Sequence, residues 1–276
     1  MTAPGPGVDP YTTRTPRVVH ARRLQRRRER AEAGRFLVEG PQAVREAAGH
    51  VVELFATPVG LSRHADLVDA VYQAGARISP VTDEALAVLA ETVQPQGLVA
   101  VCSTVDVPLA RALDGAPRLV VLLAEIRDPG NAGTVLRTAD AAGADAVVFV
   151  GDAVDPYNGK CVRASAGSLF HLDVVRAPDP AAVLAAVRAA GLTVYAADAH
   201  GDADLDEVAG TGGLSQPTAW LFGSEAHGLP AALLDTVDAR VRVPIHGRAE
   251  SLNLAAAAAV CLYASARAQR SPGVRA

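Results

Sequence analysis

The chain is poor in the residues that mark several whole classes of protein. Its 276 residues include three cysteines, one methionine, one tryptophan and a single lysine, Lys160, and aromatics make up 4%. Cys102, Cys161 and Cys261 are odd in number and far apart, which excludes a disulfide scaffold; no pair has zinc-ligand spacing, so reduced, buried thiols are expected. No uninterrupted apolar run reaches about 18 residues, so no membrane span is expected. No apolar stretch follows the first basic residues, which argues against a secretory signal. The histidines form no pair at helical spacing, and no metal site is expected. A Walker sequence, a Gly-x-Ser-x-Gly elbow and the glycine-rich turn of dinucleotide-binding folds are all missing. With 50% hydrophobic and only 20% charged residues, the chain is too apolar for a disordered protein. A soluble, cytoplasmic, globular protein is the expectation.

The formal net charge of −4 hides an asymmetry. Residues 1–45 carry ten arginines against Asp9, Glu29, Glu32 and Glu39, so this segment is +6 and the remainder −10. The excess sits in Arg14, Arg17, Arg22, Arg23, Arg26, Arg27, Arg28 and Arg30. A basic arm beside an acidic body fits a protein that meets phosphates at one end. A solvated charged helix is the plainer reading of the same residues.

Residues 1–15, rich in Pro and Gly, are expected to be a disordered tail. Residues 16–106 read as a small α/β domain that opens with one basic helix, Pro16–Ala33, too polar to be core. Within it Phe36–Glu39, Val51–Ala56, Arg77–Pro80 and Leu98–Cys102 are strand-like, Ser62 caps a helix through Ala74, and Thr82 opens another. Residues 107–117 are a Pro-containing linker. Residues 118–270 restart with the apolar run Leu119–Ala124 and alternate strands with helices to a closing helix, Ser251–Arg267. Such alternation predicts a parallel sheet covered on both faces, with ligands in the loops beyond the carboxyl ends of its strands.

Three of those loops hold unusual residues. The first, Glu125-Ile-Arg-Asp-Pro-Gly-Asn131, opens a helix that Asn131 can cap; Arg137, nearly two turns in, leans back toward the start of that helix. The second, Gly223-Ser-Glu-Ala-His-Gly228, brackets Glu225 and His227 with glycines directly after the strand Trp220–Phe222. The third, Val243-Pro-Ile-His-Gly-Arg-Ala-Glu-Ser-Leu-Asn253, enters the last helix with Ser251 as its expected N-cap and Asn253 in the first turn. Taken singly, each has an ordinary structural explanation in capping or surface ion pairing.

In this order and at this spacing, Asp128-Pro-Gly-Asn-Ala-Gly-Thr-Val-Leu-Arg-Thr138, Phe222-Gly-Ser-Glu-Ala-His-Gly-Leu229 and Val243-Pro-Ile-His-Gly-Arg-Ala-Glu-Ser-Leu-Asn-Leu254 resemble the signature motifs of the SpoU/TrmH family of RNA ribose 2′-O-methyltransferases, in the SPOUT superfamily. The similarity covers about Arg118 to Arg267. Gly34-Arg-Phe-Leu-Val-Glu-Gly40 and Gln94-Pro-Gln-Gly-Leu-Val-Ala-Val101 are similar, more softly, to the family's substrate-binding domain. The resemblance implies a parallel-sheet domain with its C-terminal segment threaded into a deep trefoil knot, S-adenosylmethionine as cofactor, and a homodimer with active sites at the subunit interface. It implies cofactor contacts from Leu221, Phe222, Gly223, Ile245 and Leu254, and catalytic roles for Asn131, Arg137, Glu225, Ser251 and Asn253. RNA, ribosomal or alternatively transfer RNA, would be held by Arg22, Arg23, Arg26, Arg27 and Arg28, with Arg163 and Ser165 of Arg163-Ala-Ser-Ala-Gly-Ser168 as further contacts.

Family schemes make Arg137 the general base. Its guanidinium stays protonated at neutral pH and has no acceptor, so stabilisation of a developing 2′-oxyanion is the role its chemistry favours. Two other readings compete. A non-catalytic RNA-binding or ribosome-assembly protein on the same scaffold would be expected to have lost some of the five catalytic candidates. A serine hydrolase built on Ser165 or Ser251 has no nucleophile elbow and no convincing His–Asp partners.

Overall fold

The computed structural model describes residues 9–224 and 228–270. They fall into two compact units: the first takes residues up to Val105 together with Asp155–His171, the second Asp106–Val154 and Leu172 onward. The chain therefore passes between units three times, because the connection after Val154 contributes a helix, Gly159–Ser165, to the first unit before returning. The expected 118–270 block thus lends residues 155–171 to the other unit.

The first unit is built on a four-stranded sheet of β1 (Arg35–Glu39), β2 (Val51–Ala56), β3 (Arg77–Pro80) and β4 (Leu98–Ser103), in the order β1-β4-β2-β3. β4 runs antiparallel to both β1 and β2, while β2 and β3 are parallel. The basic segment is not one polar helix but two, Pro16–Arg23 and Arg27–Ala33, broken at Leu24–Arg26. It is also partly core. Val18, Ala21 and Leu24 are buried with Phe55, Val81, Leu86, Leu89 and Val99. Residues three apart on a short helix share a face, so a segment dense in arginine still buries one apolar stripe.

Arg30, counted with the basic arm, is buried too. Its Nε donates to Asp155 Oδ2 at 2.8 Å, and Nη1 donates to the carbonyls of Leu24 and Gln25 at 3.0 and 2.9 Å. Phe36 and Tyr157 meet with ring centroids 4.5 Å apart, and Tyr157 Oη accepts from Val105 N at 2.9 Å. Of the expected disordered tail, residues 1–8 lie outside the described residues. Tyr11, by contrast, pairs with the chain beside β3, its N donating to Pro80 O at 2.8 Å while its carbonyl accepts from Thr82 N at 2.9 Å. The helix expected from Ser62 is two helices, Pro58–Arg63 capped by Thr57, and Ala65–Gln73.

The second unit holds a seven-stranded sheet of β5 (Leu119–Ala124), β6 (Ala146–Val150), β7 (Asp173–Ala177), β8 (Thr193–Ala197), β9 (Ala203–Asp204), β10 (Thr218–Phe222) and β11 (Ala239–Arg242). The order is β7-β6-β5-β10-β8-β11-β9 and every pairing is parallel. All residues of β5, β6 and β10 are buried, as strands covered on both faces must be. The last helix, Leu254–Arg270, is fastened to β10 by Trp220 Nε1 donating to Ser265 Oγ at 2.8 Å, both fully buried. The expected linker is also structured: it contains the helix Leu109–Ala112, and Val107 N donates to Val174 O at 2.9 Å. Among the described residues no helix is long and apolar enough to cross a membrane.

Removing Arg30 leaves Asp155 charged and buried with no counter-ion, a change that typically costs about 3–5 kcal/mol. Arg30→Ala is therefore expected to lower the urea midpoint of the first unit strongly, whereas Arg23→Ala, at an exposed position, should shift stability by no more than about 0.5 kcal/mol. Equal midpoints for the two variants would show that the arm is not docked through Arg30.

Candidate active site

β5, β10, β8 and β11 are consecutive in the sheet and parallel, so the loops that follow them open at one edge. The loop after β5 ends in the helix Pro129–Ala142, whose N-cap is Asp128 and not Asn131. Asp128 Oδ1 accepts from Asn131 N at 2.8 Å, and Pro129 takes the first helical position, where its missing N–H costs nothing. Asn131 sits within the first turn, its side chain not needed for capping. At the exit from β5, Glu125 adopts a left-handed backbone with φ +53°, an unusual conformation for a residue with a side chain.

The loop after β11 also departs from expectation. Asn253, not Ser251, caps the helix Leu254–Arg270: its Oδ1 accepts from Ala255 N at 2.9 Å and Ala256 N at 3.4 Å, and its carbonyl accepts from Ala257 N at 2.9 Å. Backbone N–H groups can only donate, so the amide oxygen must face the helix and the amide nitrogen must face away. There, Asn253 Nδ2 donates to Asn131 Oδ1 at 3.2 Å. One side chain thus ends a helix and ties together loops 122 residues apart in sequence.

A cleft of about 410 Å³ lies among these loops, within the range of small-molecule sites. Phe222, Gly223, Ile245, Ser251, Asn253 and Leu254 line it, as do Val241 and Val243. Leu221, expected beside them, is instead buried in the hydrophobic core with Val120, Leu122 and Val194, because successive strand residues face opposite ways. Gly223 cannot carry a side chain, since a Cβ there would fall 2.6 Å from the carbonyl of Gly228. Ser224 and Gly228 exchange both backbone hydrogen bonds, at 3.1 and 2.8 Å, pinching the loop at its base. Glu225 and His227 lie outside the described residues.

Sequence reading missed the loop after β8. Asp198 lines the cleft, one oxygen accepting from His200 N at 3.0 Å and the other from Arg240 Nε at 3.0 Å. The available signal was positional: this loop follows a strand already recognised, at the sheet edge where ligands bind.

Arg137 is exposed on the helix Pro129–Ala142 and makes no side-chain hydrogen bond or ion pair among the described residues. Arg22, Arg23 and Arg26 are exposed and likewise unengaged, whereas the exposed Arg28 pairs with Glu32 at 2.6 Å; Arg27 is exposed as well. Arg163 is held by Glu39 at 2.6 Å and Glu91 at 2.9 Å. Desolvation works against its charge, but the two carboxylates more than offset this and its pKa is raised. Ser165 is fully buried, its Oγ donating to Val162 O at 2.8 Å, which removes it as a hydrolase nucleophile. All three thiols are buried, and burial pushes Cys261 up to about 12 and Cys102 higher still, so neither is a thiolate near neutrality. Among the described residues no cluster of metal-ligating side chains occurs.

Asn253→Ala should destabilise by about 1 kcal/mol through loss of the cap. Asn253→Ser keeps a capping oxygen and is expected to recover most of that loss in urea unfolding, yet to leave residues 129–134 less protected in hydrogen exchange. Full protection in Asn253→Ser would mean that the amide pair does not hold the first loop.

The model of the SpoU rRNA Methylase family matches residues 118–263, and that of the MRM3-like substrate binding domain matches residues 15–100. The 23S rRNA (guanosine(2553)-2′-O)-methyltransferase RlmP of Bacillus subtilis is 36% identical over 245 residues, 88% of this chain and 92% of that protein. The 23S rRNA (uridine(2479)-2′-O)-methyltransferase of Streptomyces viridochromogenes is 36% identical over 264 residues, 91% of this chain and 88% of that one. The crystal structure of AdoMet-bound rRNA methyltransferase from Sinorhizobium meliloti superposes with a TM-score of 0.82 at 31% identity, covering 94% of this chain and 97% of that one. With both halves matched and the three motif loops at one sheet edge, the chain belongs to the SpoU rRNA methylase family.

Proposed function

We propose that the protein transfers the methyl group of S-adenosylmethionine to a ribose 2′-hydroxyl of ribosomal RNA. The observation that carries this reading is the Asn253–Asn131 hydrogen bond at the edge of the 410 Å³ cleft, which joins two of the family's motifs beside a pocket of suitable size. The cleft fits the cofactor. Ile245, Val243 and Leu254 offer apolar surface to an adenine ring, with the buried Phe222 beneath and Gly223 lining the same cleft. When bound, the cofactor supplies a methyl group already activated by its sulfonium, so no metal is needed.

What remains for the chain is placement and charge. Asn131, its amide oriented by Asn253, aligns the ribose, and Ser251 and Asn253 hold the third loop over the cofactor. Arg137 grips the phosphate next to the target ribose and donates to the 2′-oxygen as that oxygen takes the methyl group, the hydroxyl proton passing to solvent water and the demethylated cofactor leaving. A role for Glu225 in orienting partners in the second loop belongs to the same reading.

RNA is held first by Arg22, Arg23 and Arg26, free of carboxylate partners among the described residues. Arg27 and Arg28 add to them, since an exposed i,i+4 pair such as Arg28–Glu32 is weak enough to exchange for phosphate. Arg163, gripped by two carboxylates, contributes less. The same reading includes a homodimer, a knotted C-terminal segment and a cytoplasmic location. Support for the dimer comes from the last helix, whose outward face presents Val260 and Tyr263, 41% and 46% exposed.

Calorimetry with S-adenosylmethionine and transfer of labelled methyl to RNA from a strain lacking the protein test the whole reading; no heat and no label on ribose 2′-oxygens would end it. Arg137→Lys is expected to lower kcat about 100-fold with cofactor affinity retained, and near-normal turnover would show that the planar fork is dispensable. Deleting the arm would strip Val18 and Leu24 from the core, so charge is better removed by substitution. Combined Arg22→Ala, Arg23→Ala and Arg26→Ala should reduce the slope of log affinity against log salt by about two. An unchanged slope would reject these contacts.

A further inference from the structure

A second cavity, of about 360 Å³, lies wholly in the first unit. Its walls are the capped helix Pro58–Arg63, the segment Pro95–Gly97 and the helix Asp83–Leu89. One bond joins the first two, Thr57 N donating to Gly97 O at 3.1 Å, while Thr57 Oγ1 caps its own helix by accepting from Gly60 N at 3.1 Å. Neither glycine can be replaced without moving backbone, because a Cβ on Gly60 would sit 2.3 Å from Gly97 O and Gly97 itself has φ +86°. The result is a rigid floor of bare main chain. Around it stand Val59, 60% exposed, and the exposed Arg63, Asp83 and Gln96, none with a side-chain hydrogen bond or ion pair among the described residues.

The geometry points to a pocket for one unpaired nucleotide of the RNA substrate, with the base inside and its phosphate at the mouth. The inference rests on the RNA-methyltransferase reading and adds where sequence is read. The volume equals that of about a dozen waters at ~30 Å³ each, enough for one nucleoside and too little for a peptide helix. Val59 and Pro95 offer apolar surface to the face of a base. Gln96 presents a donor and an acceptor to its edge. Asp83 repels phosphate but accepts from a base N–H or amino group, and Arg63 takes the phosphate that Asp83 rejects. Unstacked bases of single-stranded loops are the usual targets of sequence reading in RNA, since the major-groove edges of an A-form duplex are out of reach of side chains.

The arginine arm packs on the helix that supplies one wall of this pocket. The helix Pro16–Arg23 packs against the helix Asp83–Leu89, and Gln25 Nε2 donates to Val88 O and Leu89 O at 3.1 and 3.2 Å. Arg22, Arg23 and Arg26 therefore belong to a segment packed against the helix that forms one wall of the pocket. A strand whose phosphates track the arm can drop a base beside it.

The test uses the full-length protein, labelled S-adenosylmethionine and RNA from a strain lacking the gene. Val59→Asp and Arg63→Glu, both at exposed positions that should fold normally, are expected to raise the RNA KM about tenfold with kcat and cofactor heat unchanged. Val59→p-benzoylphenylalanine should cross-link to an unpaired nucleotide on illumination. Wild-type KM in both charge variants, or no cross-link at position 59 while Arg23→p-benzoylphenylalanine cross-links, overturns the pocket and leaves the methyltransferase reading standing. A changed sedimentation coefficient in Val59→Asp with unchanged RNA KM would seat a second copy there instead, and also overturns it. Wild-type protein that methylates no RNA removes both.

Discussion

A single amide organises the edge of the sheet where the cleft lies. Asn253 turns its oxygen to the N–H groups of Ala255 and Ala256, since backbone N–H groups only donate, and its nitrogen is thereby aimed at Asn131. A hydroxyl at the same position could cap but could not also donate to Asn131 from the same geometry. An aliphatic residue could do neither. The first loop is prepared for this bond by Asp128, which takes over capping and leaves the Asn131 side chain for its partner. Two helix starts, built separately, thus constrain one another across the sheet edge. Behind them Trp220 anchors the last helix to β10 through Ser265, so the third loop enters from a fixed direction.

Charge is sorted by burial in the same spirit. Of the arginines clustered near the N-terminus, Arg30 serves the fold through Asp155, Arg17 meets Glu53 at 3.3 Å, and Arg22, Arg23 and Arg26 remain in solvent. A raw count of basic residues therefore overstates the RNA-facing charge. The buried stripe Val18, Ala21 and Leu24 makes the arm part of its domain, so its exposed positive charge is carried on a packed support.

Much of this was legible in the residues. The run Leu119–Ala124 and the strand Trp220–Phe222 announced buried parallel strands, and Thr82 announced the helix that it caps through Ala85 N at 3.2 Å. The three motif loops were placed correctly after strands, which put Asn131, Ser251, Asn253 and Gly223 at one edge. Helix starts were misjudged by two or three residues at Asn131 and Ser251, because Asp128 and Asn253 are equally good caps and local sequence alone does not choose between them. The arm was read as too polar for core, because its three apolar residues are diluted by arginine until the partner surface of Phe55, Val81 and Leu86 is known.

The sequence by itself determined the two α/β halves, the parallel sheet and the identity of the motif side chains, since these follow from apolar periodicity and from residue chemistry read along the chain. Tertiary structure alone decided which arginines are free, that residues 155–171 belong to the first unit, that Leu221 faces the core while Phe222 faces the cleft, and that Asp198 joins the site. Those outcomes depend on contacts between segments far apart in the chain, whose burial and partners no local pattern encodes. The meeting of Asn131 and Asn253 is of the same kind: each residue was visible, but only the fold brings their amides to 3.2 Å.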